Sequence, residues 1–287
     1  MLKDTRIAFV GAGAMGGAMI AGLLSRKLVT CDQIVAADPH EEIAARLHEK
    51  YGIDVTTDNV AACEGAGIAV LSVKPQVLPQ VFSGLSSCIL ADALVISIVA
   101  GANINSIVEG LQHQSVVRSM PNTPAQIGEG ITVWTESDAV GERQHQQAET
   151  VLQALGREIF VDDEDYLDMA TALSGTGPSY VFLFMEALVD AGVHLGFSRK
   201  VAEELVHQTV KGSADFVLQS PDHFARLRDQ VTSPGGTSAE ALYYLEKAGF
   251  RTALSRAVWA AYQRSIDLGR GGKRNRLNNE PKSGQSS

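Results

Sequence analysis

Residues 6–25 read RIAFVGAGAMGGAMIAGLLS, and the reading of this stretch decides the fold. Ile7, Ala8, Phe9 and Val10 form a short apolar run, as in a strand buried on both faces. The run stops at Gly11-Ala12-Gly13-Ala14-Met15-Gly16 and continues as an apolar segment of helical period. A GxGxxG pattern between strand and helix is a phosphate cradle. Gly11 permits the tight turn, Gly13 lets the backbone approach a pyrophosphate, and Gly16 lets helix and strand pack closely. The helix N-terminus adds N–H groups and a partial positive charge for the anion. A short glycine pattern also arises by chance, as a plain turn in some other α/β protein. The second strand ending in Asp38, about 20 residues on, favours dinucleotide binding. Ile7–Leu24 is also an uncharged run of about 18 residues, close to a membrane span in length. Its glycines and the complete fingerprint argue against that reading.

The chain has 287 residues, enough for one large or two ordinary domains with real cores. A hydrophobic content of 45% is that of a soluble globular protein. A net charge of -9 gives no general attraction to nucleic acid or to an anionic membrane. Cys31, Cys63 and Cys88 are scattered and odd in number, so no disulfide framework is expected. A first strand starting by about residue 6 leaves no room for a signal peptide, and a cytoplasmic protein is expected.

Working outward, Ile34–Ala37 reads as a second strand. Glu41–Tyr51 reads as a helix, with Ile43, Leu47 and Tyr51 at helical spacing. Further strands are expected at Ile53–Val55, Ile68–Val73, Leu94–Val99, around Val116-Val117, at Gly130–Trp134 and at Glu158–Val161. A turn is expected at Thr57-Asp58-Asn59 and a polar helix over Asp138–Leu155. This alternation predicts an α/β fold, a Rossmann-like, mostly parallel sheet covered on both faces, over residues 1–163. The acidic run Asp162-Asp163-Glu164-Asp165 lacks metal-loop spacing and reads as solvated charge at a helix start.

From Tyr166 onward only helices are expected: Tyr166–Leu173, Ser179–Leu195, Arg199–Leu218, Asp222–Val231, Ser238–Lys247 and Arg251–Leu268. Residues 164–269 thus form an all-α domain. A helix as apolar as Val181–Leu195 is buried on most sides, which favours packing against another subunit. Residues 270–287 read as a disordered tail. Contact of Lys273, Arg274 and Arg276 with nucleic acid is the lesser reading of that tail.

Asp38 stands where a carboxylate can bond the adenosine ribose hydroxyls and favour NAD. Asp38-Pro39 also reads as a turn that caps the next helix. Lys74-Pro75 and Ala100-Gly101 follow strands at the crevice edge where such sheets bind ligands. Lys74 can hold a phosphate or ribose, or be a surface charge; Gly101 can admit a cofactor, or simply turn the chain. Two stretches, Ser174-Gly175-Thr176-Gly177-Pro178 and Thr232-Ser233-Pro234-Gly235-Gly236-Thr237-Ser238, set hydroxyls and exposed N–H groups before helices. That describes anion sites, or ordinary helix caps. Two of them in a dinucleotide-binding chain point to substrate binding at the second. No HxxxH or comparable pair occurs among the seven histidines, so no metal site is expected. No GxSxG elbow is present. Chemistry with little proton machinery fits, such as hydride addition to an already polarised C=N.

These residues resemble the pyrroline-5-carboxylate reductases over about residues 5–270. The resemblance is carried by GAGAMGGA at 11–18, VKPQ at 73–76, MPNTP at 120–124, GEG at 128–130, LSGTGPSY at 173–180 and VTSPGGTSAEALYYLE at 231–246. It implies reduction of the cyclic imine 1-pyrroline-5-carboxylate to L-proline, the last step of proline synthesis, with NADPH or NADH as hydride donor. It implies a helical domain that interlocks with a partner's in a homodimer, or in a larger ring of dimers, with no membrane or nucleic-acid partner. Carried over by position, Gly11, Gly13, Met15 and Gly16 hold the pyrophosphate, and Asn59, Lys74 and Ala100 line the cofactor. Ala14, Asp38, Val73, Pro75 and Gly101 join them as cofactor candidates by their own placement. Ser233, Gly235, Gly236, Thr237 and Ser238 are carried over as holding the substrate, with Thr237 and Ser238 as the catalytic pair, and Ser174 and Gly175 are further substrate candidates. The chain departs from the family at Ser238, where threonine is usual; serine keeps the hydroxyl and loses the rotamer-restricting methyl. Many relatives carry a small polar residue where this chain has Asp38, and the acid tilts the expectation towards NADH.

Two rival readings stand beside this one. A 3-hydroxyacid dehydrogenase-like oxidoreductase shares the N-terminal pattern but places a catalytic lysine just inside the long helix. Residues 177–182 here read GPSYVF. A non-catalytic NAD(P)-binding redox sensor needs no second anion site.

Overall fold

The computed structural model describes residues 2–86 and 88–269; the expected tail lies outside the described residues. The chain packs as two compact units. Among the described residues, 2–171 and 262–269 form the first, and Ala172–Ala261 form the second.

In the first unit the elements run β1 (Ile7–Val10), α1 (Ala14–Ser25), β2 (Ile34–Ala37), α2 (Glu41–Tyr51), β3 (Asp54–Thr56), α3 (Asn59–Cys63), β4 (Ile68–Leu71) and α4 (Leu78–Leu85). They continue with β5 (Leu94–Ser97), α5 (Ile104–Leu111), β6 (Val116–Met120), β7 (Gly130–Glu136), α6 (Glu142–Gln153), β8 (Gly156–Phe160) and α7 (Asp165–Ala170). One sheet runs β3-β2-β1-β4-β5-β6-β7-β8. All neighbours are parallel except β6 and β7, which pair antiparallel. Residues 121–129 between those two are too short for a parallel crossover. In β1, Ile7 and Phe9 join one apolar layer with Met19, Ile20 and Trp134. Ala8 and Val10 join the other with Leu71, Val95 and Val116. Burial on both faces is why the inner strands read as unbroken apolar runs.

Three differences from the sequence reading have local causes. The fourth strand ends at Leu71, not Val73, because β1 turns away at Gly11 and leaves Ser72 beyond the ladder. The expected turn at Thr57-Asp58-Asn59 opens α3 instead, with Asp58 Oδ1 accepting the Val60 N–H at 2.8 Å. The acidic run is not all solvated. Glu164 and Asp168 both accept from the buried Arg118, at 2.9 and 3.3 Å. Glu164 also accepts the Ile104 N–H at 2.8 Å, and Asp168 the Ser265 hydroxyl at 2.6 Å.

The second unit holds α8 (Gly177–His194), α9 (Arg199–Gln219), α10 (Phe224–Gln230), α11 (Thr237–Lys247) and the first turns of α12 (Phe250–Gly269). Its core is small: Val189, Ala202 and Val206, flanked by Met185 and Val210. The apolar helix expected to be buried on most sides is largely open in the single chain, with Phe182 62% and Leu183 67% exposed. Among the described residues no helix is long and apolar enough to cross a membrane.

Candidate dinucleotide site and a second anion seat

The sheet order reverses between β1 and β4, and the glycine loop sits at the carboxyl ends of both strands. Open α/β sheets bind ligands at such switch points. Gly11 has φ +92 and donates its N–H to Ala37 O at 2.8 Å. A Cβ there would lie 2.6 Å from Ser72 O, and one on Gly16 would lie 2.5 Å from Gly11 O. These two glycines are required by the protein's own packing. Gly13 is different. It is exposed, and a Cβ on it would meet nothing within 4 Å. Its glycine is explained by room left for something outside the protein. Gly13 is also the N-cap of α1, gives no side-chain cap, and is followed by no acid in the first turn. The helix therefore presents free N–H groups and an uncompensated positive end. The residues present fit the pyrophosphate of a dinucleotide.

The remaining cofactor candidates divide. Ala14 is exposed and Met15 half-buried at the start of α1. Val73 is half-buried beside Gly11; Lys74 is exposed and extended before the short helical turn Pro75–Val77. Asn59 opens α3 and is half-buried. Ala100 is half-buried beyond β5. Gly101 has φ +74, and a Cβ there would come within 3.0–3.1 Å of Leu268 and Gly269. The close approach that needs glycine at this position is made by the chain's own α12.

Asp38 is turned inward. Its Oδ2 accepts the Ala12 N–H at 3.0 Å, and its Oδ1 accepts the His40 N–H at 3.0 Å. Of its two sequence readings, the turn is the one these bonds describe, although the N-cap of α2 is His40. Sequence reasoning missed Ser72, whose hydroxyl donates to Gly11 O and ties β4 to the loop. It also missed Arg118. The signal was available: an arginine inside the apolar strand VVRSM must find carboxylates if it is buried.

The two small-residue stretches differ in backbone. Ser174 and Gly175 lie in a π-helical turn, Thr171–Gly175, and Thr176 already has helical angles. This wide turn leads into α8, which opens at Gly177 with Thr176 as its N-cap, Pro178 in its first turn and no side-chain cap. Tyr180 braces the turn, donating its hydroxyl to Ala172 O at 3.0 Å. Residues 232–238 form an entrance of another kind. Gly235 reverses the chain at φ +70, Gly236 donates to Ser233 O at 3.0 Å, and α11 opens at Thr237 with no side-chain cap. Ser233 and Thr237 are exposed and Ser238 half-buried. Cys63 is no nucleophile: burial, then nearby Cys88, pushes its thiol up to about 11. Among the described residues no group of three His, Cys, Asp or Glu is placed to hold a metal.

Residues 164–268 match the family described as pyrroline-5-carboxylate reductase dimerisation. Residues 6–101 match the one described as NADP oxidoreductase, coenzyme F420-dependent. The chain is 41% identical over 268 residues to pyrroline-5-carboxylate reductase of Pseudomonas aeruginosa, covering 93% of this chain and 98% of that one. The corresponding Synechocystis enzyme is 38% identical, covering 92% and 98%. The chain belongs to the pyrroline-5-carboxylate reductase family. A Plasmodium falciparum pyrroline carboxylate reductase, solved with NADP bound, superposes with a TM-score of 0.85 at 32% identity, covering 93% of this chain and 98% of that one. The activity is that of the family, an NAD(P)H-dependent oxidoreductase, with a dinucleotide-binding N-terminal region and a helical dimerisation region. The open apolar face of α8 lies in that dimerisation region.

Proposed function

We propose that the chain converts 1-pyrroline-5-carboxylate to L-proline, with the entrance of α11 as the seat of the substrate carboxylate. The observation that carries this is the uncapped N-terminus of α11, preceded by Gly235 at φ +70 and framed by the hydroxyls of Ser233, Thr237 and Ser238. The first N–H groups of a helix have no intrahelical acceptor and stand at its positive end, where a carboxylate is favoured. A Cβ on Gly236 would lie 2.4 Å from Ser233 Oγ, so glycine there lets Ser233 sit against the entrance.

A reduced dinucleotide, held at the Gly11–Gly16 loop, would supply the hydride for the imine carbon. The α11 entrance holds the acceptor by its carboxylate and leaves Thr237 or Ser238 to hydrogen-bond the ring nitrogen. A protonated imine is already electrophilic, so the hydroxyls need only orient it; no strong acid is required. The chain works as a homodimer through the apolar face of α8, in the cytoplasm, and rings of dimers extend the same interface logic.

Replacing Thr237 and Ser238 together with alanine tests the seat. Loss of orientation costs roughly 100-fold in kcat/KM, while NADPH binding and the melting temperature stay at wild-type values. Unchanged steady-state constants for pyrroline-5-carboxylate would overturn the assignment.

A further inference from the structure

The strand end at which this fold class reads the adenosine ribose is occupied here by two residues in series. Asp38 lies behind. Its side chain is 8% exposed, and both oxygens are spent on the protein: Oδ2 on the Ala12 N–H of the glycine loop, Oδ1 on the His40 N–H. His40 lies in front, its side chain 74% exposed and its Nδ1 3.0 Å from Asp38 Oδ1.

We propose that His40, oriented by Asp38, reads the 2′ position of the adenosine ribose, and that Asp38 is a positioning residue for the glycine loop instead of a ribose acceptor. The proposal rests on the dinucleotide reading of that loop. A ring nitrogen facing a carboxylate carries the proton, so Nδ1 is the donor to Asp38 and Nε2 is left for a ligand. An imidazole nitrogen can accept from a 2′-hydroxyl or donate an N–H to a 2′-phosphate, and the bond to the charged phosphate is charge-assisted and the stronger of the two. The same side chain therefore admits NADH and favours NADPH, opposite to what an acid at this strand end suggests from sequence. Glu41 and Glu42 follow at once and are exposed. They oppose a phosphate, which leaves the selection to the imidazole.

The test is direct binding of NADPH and of NADH to the full-length protein, followed by nicotinamide fluorescence, for wild type, His40→Ala and Asp38→Asn. His40→Ala should weaken NADPH roughly tenfold or more and NADH by less than about threefold. Asp38→Asn keeps one carbonyl for the turn and loses the acceptor for Ala12, so both nucleotides should weaken by a similar factor. An unchanged NADPH-to-NADH ratio in His40→Ala would overturn the proposal. So would an Asp38→Asn variant that loses NADH selectively, because the carboxylate would then be the ribose reader. If wild type bound neither nucleotide, the dinucleotide reading would fall and this proposal with it.

Discussion

Gly13 and Gly16 are spaced as one motif, yet alanine should act on them in different ways. Gly13 has φ −66 and ψ −160, angles alanine adopts, and a methyl there meets nothing within 4 Å. Two small effects oppose each other. Alanine is a poorer N-cap than glycine by about 0.5–1 kcal/mol, and it stabilises by about 0.4–1 kcal/mol through the unfolded chain. They cancel to within about 1 kcal/mol, or about 2–4 °C in melting temperature for a domain of this size. The methyl does fill the space at the N-terminus of α1. A pyrophosphate oxygen must come within about 3 Å of those N–H groups to bond them. Two charge-assisted bonds at about 1.5–3 kcal/mol each are lost or stretched, so affinity should fall at least about 100-fold. In Gly16→Ala the new Cβ stands 2.5 Å from Gly11 O and 2.7 Å from Ser72 Oγ. The backbone oxygen cannot swing aside, so overpacking should cost about 3 kcal/mol, roughly 6–12 °C. Calorimetry without nucleotide, at one fixed protein concentration, separates the two variants. Fluorescence titration with NADPH then reads affinity. Wild-type NADPH affinity in Gly13→Ala would refute the reasoning, as would a fall in melting temperature matching that of Gly16→Ala.

Two further substitutions test the packing. Arg118→Met removes the guanidinium between Glu164 and Asp168, whose side chains are 29% and 19% exposed. Breaking a buried pair costs about 3–5 kcal/mol, and partial exposure of both acids lowers this to about 2–4 kcal/mol; urea unfolding without loss of stability would show that the ion pairs carry nothing. Thr132 is fully buried in β7 and its Oγ1 has no hydrogen-bond partner. Thr132→Val keeps the shape and removes the unpaired hydroxyl, so stability should rise by about 1 kcal/mol, and a lower melting temperature would contradict this.

The parts of the fold that show in the sequence are those governed by period. Glu41–Tyr51 coincides with α2 because Ile43 and Leu47 pack inward while charge marks the other face. Strand identities show because both faces of the sheet are buried. What does not show is which tertiary partner a polar residue finds. Asp38 looks the same in sequence whether it faces a ribose or the Ala12 N–H 26 residues away. Glu164 looks solvated among its acidic neighbours until Arg118, 46 residues earlier, is brought beside it. The apolar face of α8 shows as hydrophobic, but composition alone does not say whether it is covered by its own unit or by a partner.

The two small-residue stretches make the same point at the site itself. Both carry serine, threonine, glycine and proline, and composition gives them the same anion-binding character. Their backbones part because of where the breakers stand. At 234–236 proline is followed by two glycines, and Gly235 takes a positive φ that ends one chain direction before α11 begins another. At 173–177 single glycines alternate with threonine, and a helix tolerates a lone glycine at a cost near 1 kcal/mol. The chain there stays near helical angles: a π-turn over Thr171–Gly175, a kind of distortion frequent at functional sites, leads through Thr176 into the start of α8 at Gly177. The entrance of α8 carries Pro178, which has no N–H, and the entrance of α11 at Gly235-Gly236 has no proline in its first turn; that difference is what favours α11 as the proposed seat.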